Sequence, residues 1–177
     1  MKLIAALLSR DLGLLGELER HIEKAYGSVE ERSDVFPFTF TDHYAHEMGR
    51  DLKKILVAFR DLLPIERFPA VKAFTNDLEW EYREHLPQGS HRLVNIDPGY
   101  ITLSKVILAS TKNYAHRIYL QDGVYAELTL RYSRGGLRNL PWTYPDYRTH
   151  LAHSFFTRIR ESYHRQLKEK LRHRKQE

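Results

Sequence analysis

The stretch KNYAHRIYLQDGVYAEL, residues 112 to 128, gathers Lys112, His116, Arg117, Tyr119, Tyr125 and Glu127 in one short segment. Lysine and arginine can hold a phosphate or carboxylate, arginine through a two-pronged fork. Glutamate and histidine can accept or deliver protons near neutral pH. The alternation of residue types on either side of Asp122-Gly123 reads as a β-hairpin. What such a hairpin can do depends on which groups share a face.

Turn length decides that. A two-residue Asp122-Gly123 turn pairs Ile118 with Glu127 and Arg117 with Leu128, which mixes apolar and charged groups on each face. A three-residue loop, Gln121-Asp122-Gly123, pairs Leu120 with Val124, Ile118 with Ala126 and His116 with Leu128. It leaves Tyr119 opposite Tyr125 and Arg117 opposite Glu127, and His116 at the apolar face or its end. The second register segregates the faces and is the one expected. The polar face of the 115–132 hairpin is then the candidate site, although an opposed Arg–Glu pair beside tyrosines also finishes many solvated sheet faces.

Other motifs are weaker. His43, His46 and Glu47 offer local metal ligands without the spacing of a zinc protease helix, and no metal site is expected. The chain has no G-x-S-x-G elbow and no G-x-x-x-x-G-K-[ST] phosphate loop.

These groups must be positioned by the elements around them. LIAALL, residues 3–8, suits a buried strand, and the helix after it carries Leu15, Leu18, Ile22 and Tyr26 on one stripe, with Gly27 as a stop. VEERSDVFPF reads as extended, with Pro37 at an edge. Residues 42–63 fit helical spacing, yet Gly49 and KILVAF favour a loop at 41–50 followed by a strand. Pro69 opens a helix whose core face is Val71, Phe74, Leu78 and Tyr82. Asp97-Pro98-Gly99 has the chemistry of a turn between two extended segments. From about 148 to 173 no Gly or Pro interrupts a leucine and aromatic stripe at four-residue spacing, which predicts a long helix. The order predicts an α+β fold: a ferredoxin-like βαββαβ core extended by an antiparallel hairpin, with a long C-terminal helix.

The chain has 177 residues, 42% of them apolar, enough for one domain with its own core. Residues 158–177 carry eight Arg or Lys and three acidic residues, which accounts for the whole net charge of +5. The reading is therefore a single domain over 1–157 and a basic helical tail over 158–177. With no cysteine, disulfides and thiolate metal sites are excluded. The opening MKLIAALLSRDLG has an apolar run too short for a leader segment, and nothing approaches the ~18 apolar residues of a membrane span. A cytoplasmic protein without a membrane partner is expected.

FTFTDHYAHEMG, RLVNIDPGYITLSKVILAST, AHRIYLQDGVYAE and PWTYPDY, in that order, resemble the bacterial family called domain of unknown function 4416. The resemblance covers roughly residues 1 to 160. It carries no established activity; residue by residue it points to Asp42, Tyr44, Glu47, Asn95, Asp97, Tyr100, Trp142, Tyr144 and Asp146, besides Lys112, His116, Arg117 and Glu127. The segment at Asp97, the polar face of the hairpin and the WTYPDY loop are expected to converge on one pocket.

In that pocket Glu127, Asp97 and His116 would be the proton-transfer candidates. Lys112, Arg117, Tyr119, Tyr125, Tyr100, Trp142, Tyr144 and Asp146 would contact a ligand, with Asp42, Tyr44 and Glu47 as a second cluster. The expected ligand is a phosphorylated small molecule or nucleotide, with a divalent cation as a possible companion. The competing reading is a non-enzymatic module that holds RNA or an acidic protein through residues 158–177.

Overall fold

The structure is a computed structural model that describes residues 1–86 and 89–173. Its centre is β1 (Lys2–Ser9), in which all eight residues are buried. A strand covered on both faces has no reason to alternate, which is why LIAALL is continuously apolar. Leu3, Ala5 and Leu7 point to one layer, and Ile4 and Ala6 to the other.

Helix α1 (Leu12–Tyr26) starts at Asp11, whose carboxylate accepts the Gly13 N–H at 2.6 Å, and stops at Gly27, at φ 95°. Strands β2 (Val29–Arg32) and β3 (Phe36–Pro37) follow, then the single turn α2 (Ala45–Met48) and β4 (Lys53–Leu62). Helix α3 (Phe68–Glu81) has Pro69 in its first turn, where a missing N–H costs nothing. After it, β5 (Arg83–Leu86) and β6 (Gly89–Arg92) form a separate two-stranded sheet. The remaining elements are β7 (Val94–Ile101), β8 (Lys105–Ser110), β9 (Arg117–Gln121), β10 (Val124–Ser133), β11 (Gly136–Asn139) and α4 (His150–His173).

The fold is mixed α and β around one nine-stranded sheet in the order β11-β10-β8-β7-β1-β4-β2, with β3 also on β4 and β9 also on β10. Every pairing is antiparallel. Leu15, Leu18 and Ile22 of α1 and Val71 and Leu78 of α3 cover one face. Phe155, Phe156 and Ile159 of α4 cover the other, against Ile4, Leu56, Ala58 and Ile101. Each such side chain contributes about 1.5–3 kcal/mol on burial. Beyond the hydrophobic contacts, α4 is clamped near its middle: Ser162 bonds to Glu30, and Gln166 accepts from Lys2 and donates to the Arg60 carbonyl. The 157/158 boundary falls inside this continuous helix.

Two local expectations are corrected. Asp97-Pro98-Gly99 is not a turn but the middle of β7, with Asp97 opposite Ala6 and Pro98 opposite Ala5. Pairing of β7 with β8 begins only at Gly99, so Pro98 stands just outside the stretch with two ladder partners, where a residue without an N–H is accommodated. Gly99 is there for close approach: a Cβ at that position would lie 2.5 Å from the Ile107 carbonyl oxygen.

The second correction concerns the hairpin. Its turn has two residues, with Asp122 at φ 50° and Gly123 at φ 74°, so Val124 pairs with Gln121. A bulge follows at once, and from there Tyr125 faces Tyr119, Ala126 faces Ile118 and Glu127 faces Arg117. The segregated register is reached by a different route from a three-residue loop.

Helix α4 covers only part of its face. Towards the other end of the strands the same face presents Lys54, Asp97, Leu108 and Glu127, as the register shows: Leu8 opposite Lys54, Ala6 opposite Asp97, Gly99 opposite Leu108, and Leu108 opposite Glu127. Residues 38–44 and 144–147 wall this uncovered floor.

Candidate functional site

Over that floor lies a cavity of about 540 Å³. Phe38, Phe40, Tyr44, Tyr144 and Tyr147 form its walls, and Lys54, Asp97, Asp146 and Glu127 its polar base. Lys54 sits in KKILVAF, a strand otherwise made for burial, and at its inward-facing position only a paired charge is tolerable. Its Nζ lies 2.6 Å from Asp146 Oδ2 and 3.9 Å from Asp97 Oδ2, and above the rings of Phe38 and Tyr147 at 5.1 and 5.0 Å. Asp146 is delivered by the short 3-10 turn Pro145–Arg148. Asn95 donates to Asp97 Oδ2 at 3.0 Å, and the Asp97 side chain keeps 31% of its surface exposed.

The hairpin contributes a second buried charge. Glu127 Oε2 accepts from Arg117 Nε at 2.8 Å and lies 3.2 Å from His116 Nε2. The Arg117 fork also donates to the Lys112 carbonyl at 2.9 Å and the Tyr144 hydroxyl at 2.8 Å, tying the hairpin to the WTYPDY loop. His116 lies on the Glu127 side rather than at the apolar face, because its ring stacks on Trp142 at 4.8 Å while the Trp142 indole N–H donates to the Leu128 carbonyl. Glu127 is thus locked between two cationic or proton-donating partners and 1% exposed, so it braces the wall.

A smaller cavity of about 170 Å³ adjoins the first and shares with it His43, Tyr44, Asp97, Ala109, Ser110 and Tyr144. Its other lining sets Lys72, Arg92, Lys112 and Arg117 against Glu79, with the neutral Asn76, Asn95 and Thr111 between them. Arg92 lies over the Tyr44 ring at 5.4 Å and pairs with Glu47 and Glu79 at 3.0 and 3.4 Å. Glu79 accepts the Ile96 N–H at 2.5 Å, and its burial pushes its pKa up. Burial likewise raises the Tyr44 and Tyr147 hydroxyls. Tyr144 is pushed up to about 12 by burial and then by the charge of Glu127. All three phenols are therefore neutral hydrogen-bonding groups at physiological pH.

The three segments expected to converge do meet here: Asp97, Glu127, Tyr144 and Asp146 line one cavity, and Lys112 and Arg117 its neighbour. Other expected residues lie elsewhere. Tyr100 is on the opposite face of the sheet, its ring edge-on to Phe68 at 4.7 Å, because β7 alternates and only odd positions from Asn95 to Gly99 face the cavity. Tyr119 and Tyr125 pair edge to face at 5.4 Å and do not line it. Asp42 is exposed, its carbonyl accepting the Ala45 N–H. Glu47 and His46 face a separate open groove of about 890 Å³ beside the start of α1. Among the described residues no cluster of three or more His, Asp or Glu could hold a metal ion.

Sequence reasoning missed Lys54, Arg92, Glu79 and the Phe38 wall. Lys54 carried a usable signal, a cation inside a strand buried on both faces. Among the described residues no helix is long and apolar enough to cross a membrane.

Among curated proteins and solved structures nothing matches the chain. The family model described as Domain of unknown function (DUF4416) matches residues 1–163, and the chain belongs to that family.

Proposed function

We propose that the joined cavities bind a phosphorylated small molecule carrying a planar ring, with nucleotides as the best-fitting class. The observation that carries this reading is the contact between an aromatic cavity and a basic one through six shared residues. A ring fits between the Phe38–Phe40 wall and Tyr144, where aromatic faces stabilise it by stacking. A phosphate on that ring then falls in the annex, among Lys72, Arg92, Lys112 and Arg117. Lys112 is the cation best suited to hold it, because among the described residues only its backbone N–H and carbonyl are hydrogen-bonded. If chemistry follows binding, Asp97 is the candidate base, with its partly open carboxylate; Glu127 positions Arg117.

A melting panel of nucleotides, sugar phosphates and inorganic phosphate, with and without magnesium, tests this. A ligand at 100 times its Kd adds about 2.7 kcal/mol. That corresponds to a rise of roughly 5–10 °C for a chain of this size. Lys112→Ala should lose about tenfold in affinity. A panel without any shift sinks the reading.

A second reading rests on the end of α4. Arg158 pairs with Glu31 and Arg160 donates to the Leu103 carbonyl, but Lys168, Lys170 and Arg172 are exposed beyond the Gln166 clamp. Lys168 and Arg172, four residues apart, share a helix face that could neutralise RNA phosphates. Salt-dependent RNA retention lost in a Lys168→Glu, Lys170→Glu, Arg172→Glu variant would favour it. The strand order β7-β1-β4-β2, with α1 and α3 in the connections, supports a ferredoxin-like βαββαβ unit over residues 2–101.

A further inference from the structure

We infer, resting on that reading, that the ring is a heterocycle with an amide or amidine edge, and that Lys54 and Asp97 read that edge. The base of the aromatic cavity sets a fixed donor beside a fixed acceptor: Lys54 Nζ stands 3.9 Å from Asp97 Oδ2. Neither can turn away. Asp146 holds the lysine at 2.6 Å, and the Asn95 amide holds Asp97 Oδ2 at 3.0 Å. Asp97 Oδ1 makes no hydrogen bond among the described residues and belongs to a carboxylate that lines the cavity. The ammonium has N–H groups beyond the one directed at Asp146.

A plain hydrocarbon ring would leave both groups desolvated and unmatched, at a cost. A ring with a ring nitrogen or keto oxygen next to an N–H satisfies both at once. Amide and amidine heterocycles, the nucleobases among them, have that edge; phenyl rings and purine bearing ribose at N9 and no other substituent do not. Sites built around buried hydrogen-bonding groups reject analogues that lack the partner far more strongly than apolar pockets do.

The test titrates adenosine, inosine and purine riboside 5′-monophosphates, with ribose 5-phosphate as the ring-free control, into wild type and Asp97→Asn. Purine riboside monophosphate keeps ring size and phosphate and lacks the edge N–H. The expected result is binding of adenosine or inosine monophosphate at least tenfold tighter than that of the purine riboside, with the gap narrowed in Asp97→Asn. Equal affinity of all three ring compounds in wild type overturns the edge inference and leaves the ring-and-phosphate reading standing. Failure of all three, or binding no tighter than ribose 5-phosphate, removes the nucleotide reading itself. Because the ligand comparison is made within the wild type, a folding defect of the variant does not blunt it.

Discussion

Lys54 and Asp146 meet at 2.6 Å beneath the aromatic cavity, with 4% and 5% of their side-chain surfaces exposed. Removing one member of a buried pair strands the other charge, which typically costs about 3–5 kcal/mol. Lys54→Met should lower the unfolding free energy by that amount in urea titrations. The double variant Lys54→Met/Asp146→Leu should recover most of the loss, since the one carboxylate it deprives of Lys54, Asp97, keeps 31% of its side chain exposed and the Asn95 hydrogen bond. A single variant as mild as a surface substitution would contradict the burial of this pair.

Arg117 and Glu127 pose the same question for the hairpin. A solvated cross-strand pair contributes about 0–1 kcal/mol, whereas Glu127 is 1% exposed and receives Arg117 Nε at 2.8 Å. Arg117→Ala should therefore cost about 3–5 kcal/mol. A loss below about 1 kcal/mol would return the hairpin to an ordinary solvated face.

Two glycines should respond with opposite signs. At Gly99 an added Cβ would meet the Ile107 carbonyl at 2.5 Å, and Gly99→Ala should destabilise by about 1–3 kcal/mol. At Gly16, inside α1, the nearest atom to an added Cβ is the flexible Arg20 guanidinium at 3.7 Å, and Gly16→Ala should stabilise by about 0.5–1 kcal/mol. Paired thermal melts read both; a Gly99→Ala variant as stable as wild type would count against the packing described for β7 and β8, and a destabilised Gly16→Ala against the open surroundings of Gly16.

Glu79 supplies a pH dependence. Burial raises its pKa above the ordinary 4.5, so the folded chain holds this proton more tightly than the unfolded chain. The contribution is full below 4.5 and is lost as pH rises through the raised value. Glu79→Gln does not titrate, so it should gain stability relative to wild type as pH increases from about 4.5. Parallel stability curves for the two proteins would refute this.

The legible parts of the sequence were those with a physical reason to be periodic or segregated. The stripe from Leu15 to Ile22 and the run of β1 follow from burial on known faces, and the Tyr119–Tyr125 and Arg117–Glu127 pairings from the segregation of residue types between the two faces of the hairpin. Asp97-Pro98-Gly99 misled because its local turn chemistry is overridden by pairing with β1, and Gly99 answers to a neighbouring carbonyl rather than to its own φ. Lys54 could not be matched to Asp146 from the sequence, since 92 residues separate them and only sheet order brings them together. Tyr100 was assigned to the site with its neighbour Asp97, yet three positions along a strand reverse the face.

The most direct test of the site is a crystal structure of the chain grown with excess inosine monophosphate. The account predicts the ring between Phe38 and Tyr144, its edge on Lys54 and Asp97, and the phosphate within hydrogen-bonding distance of Lys112 Nζ. Empty cavities, or the nucleotide seated instead on Lys168 and Arg172 of α4, would contradict it.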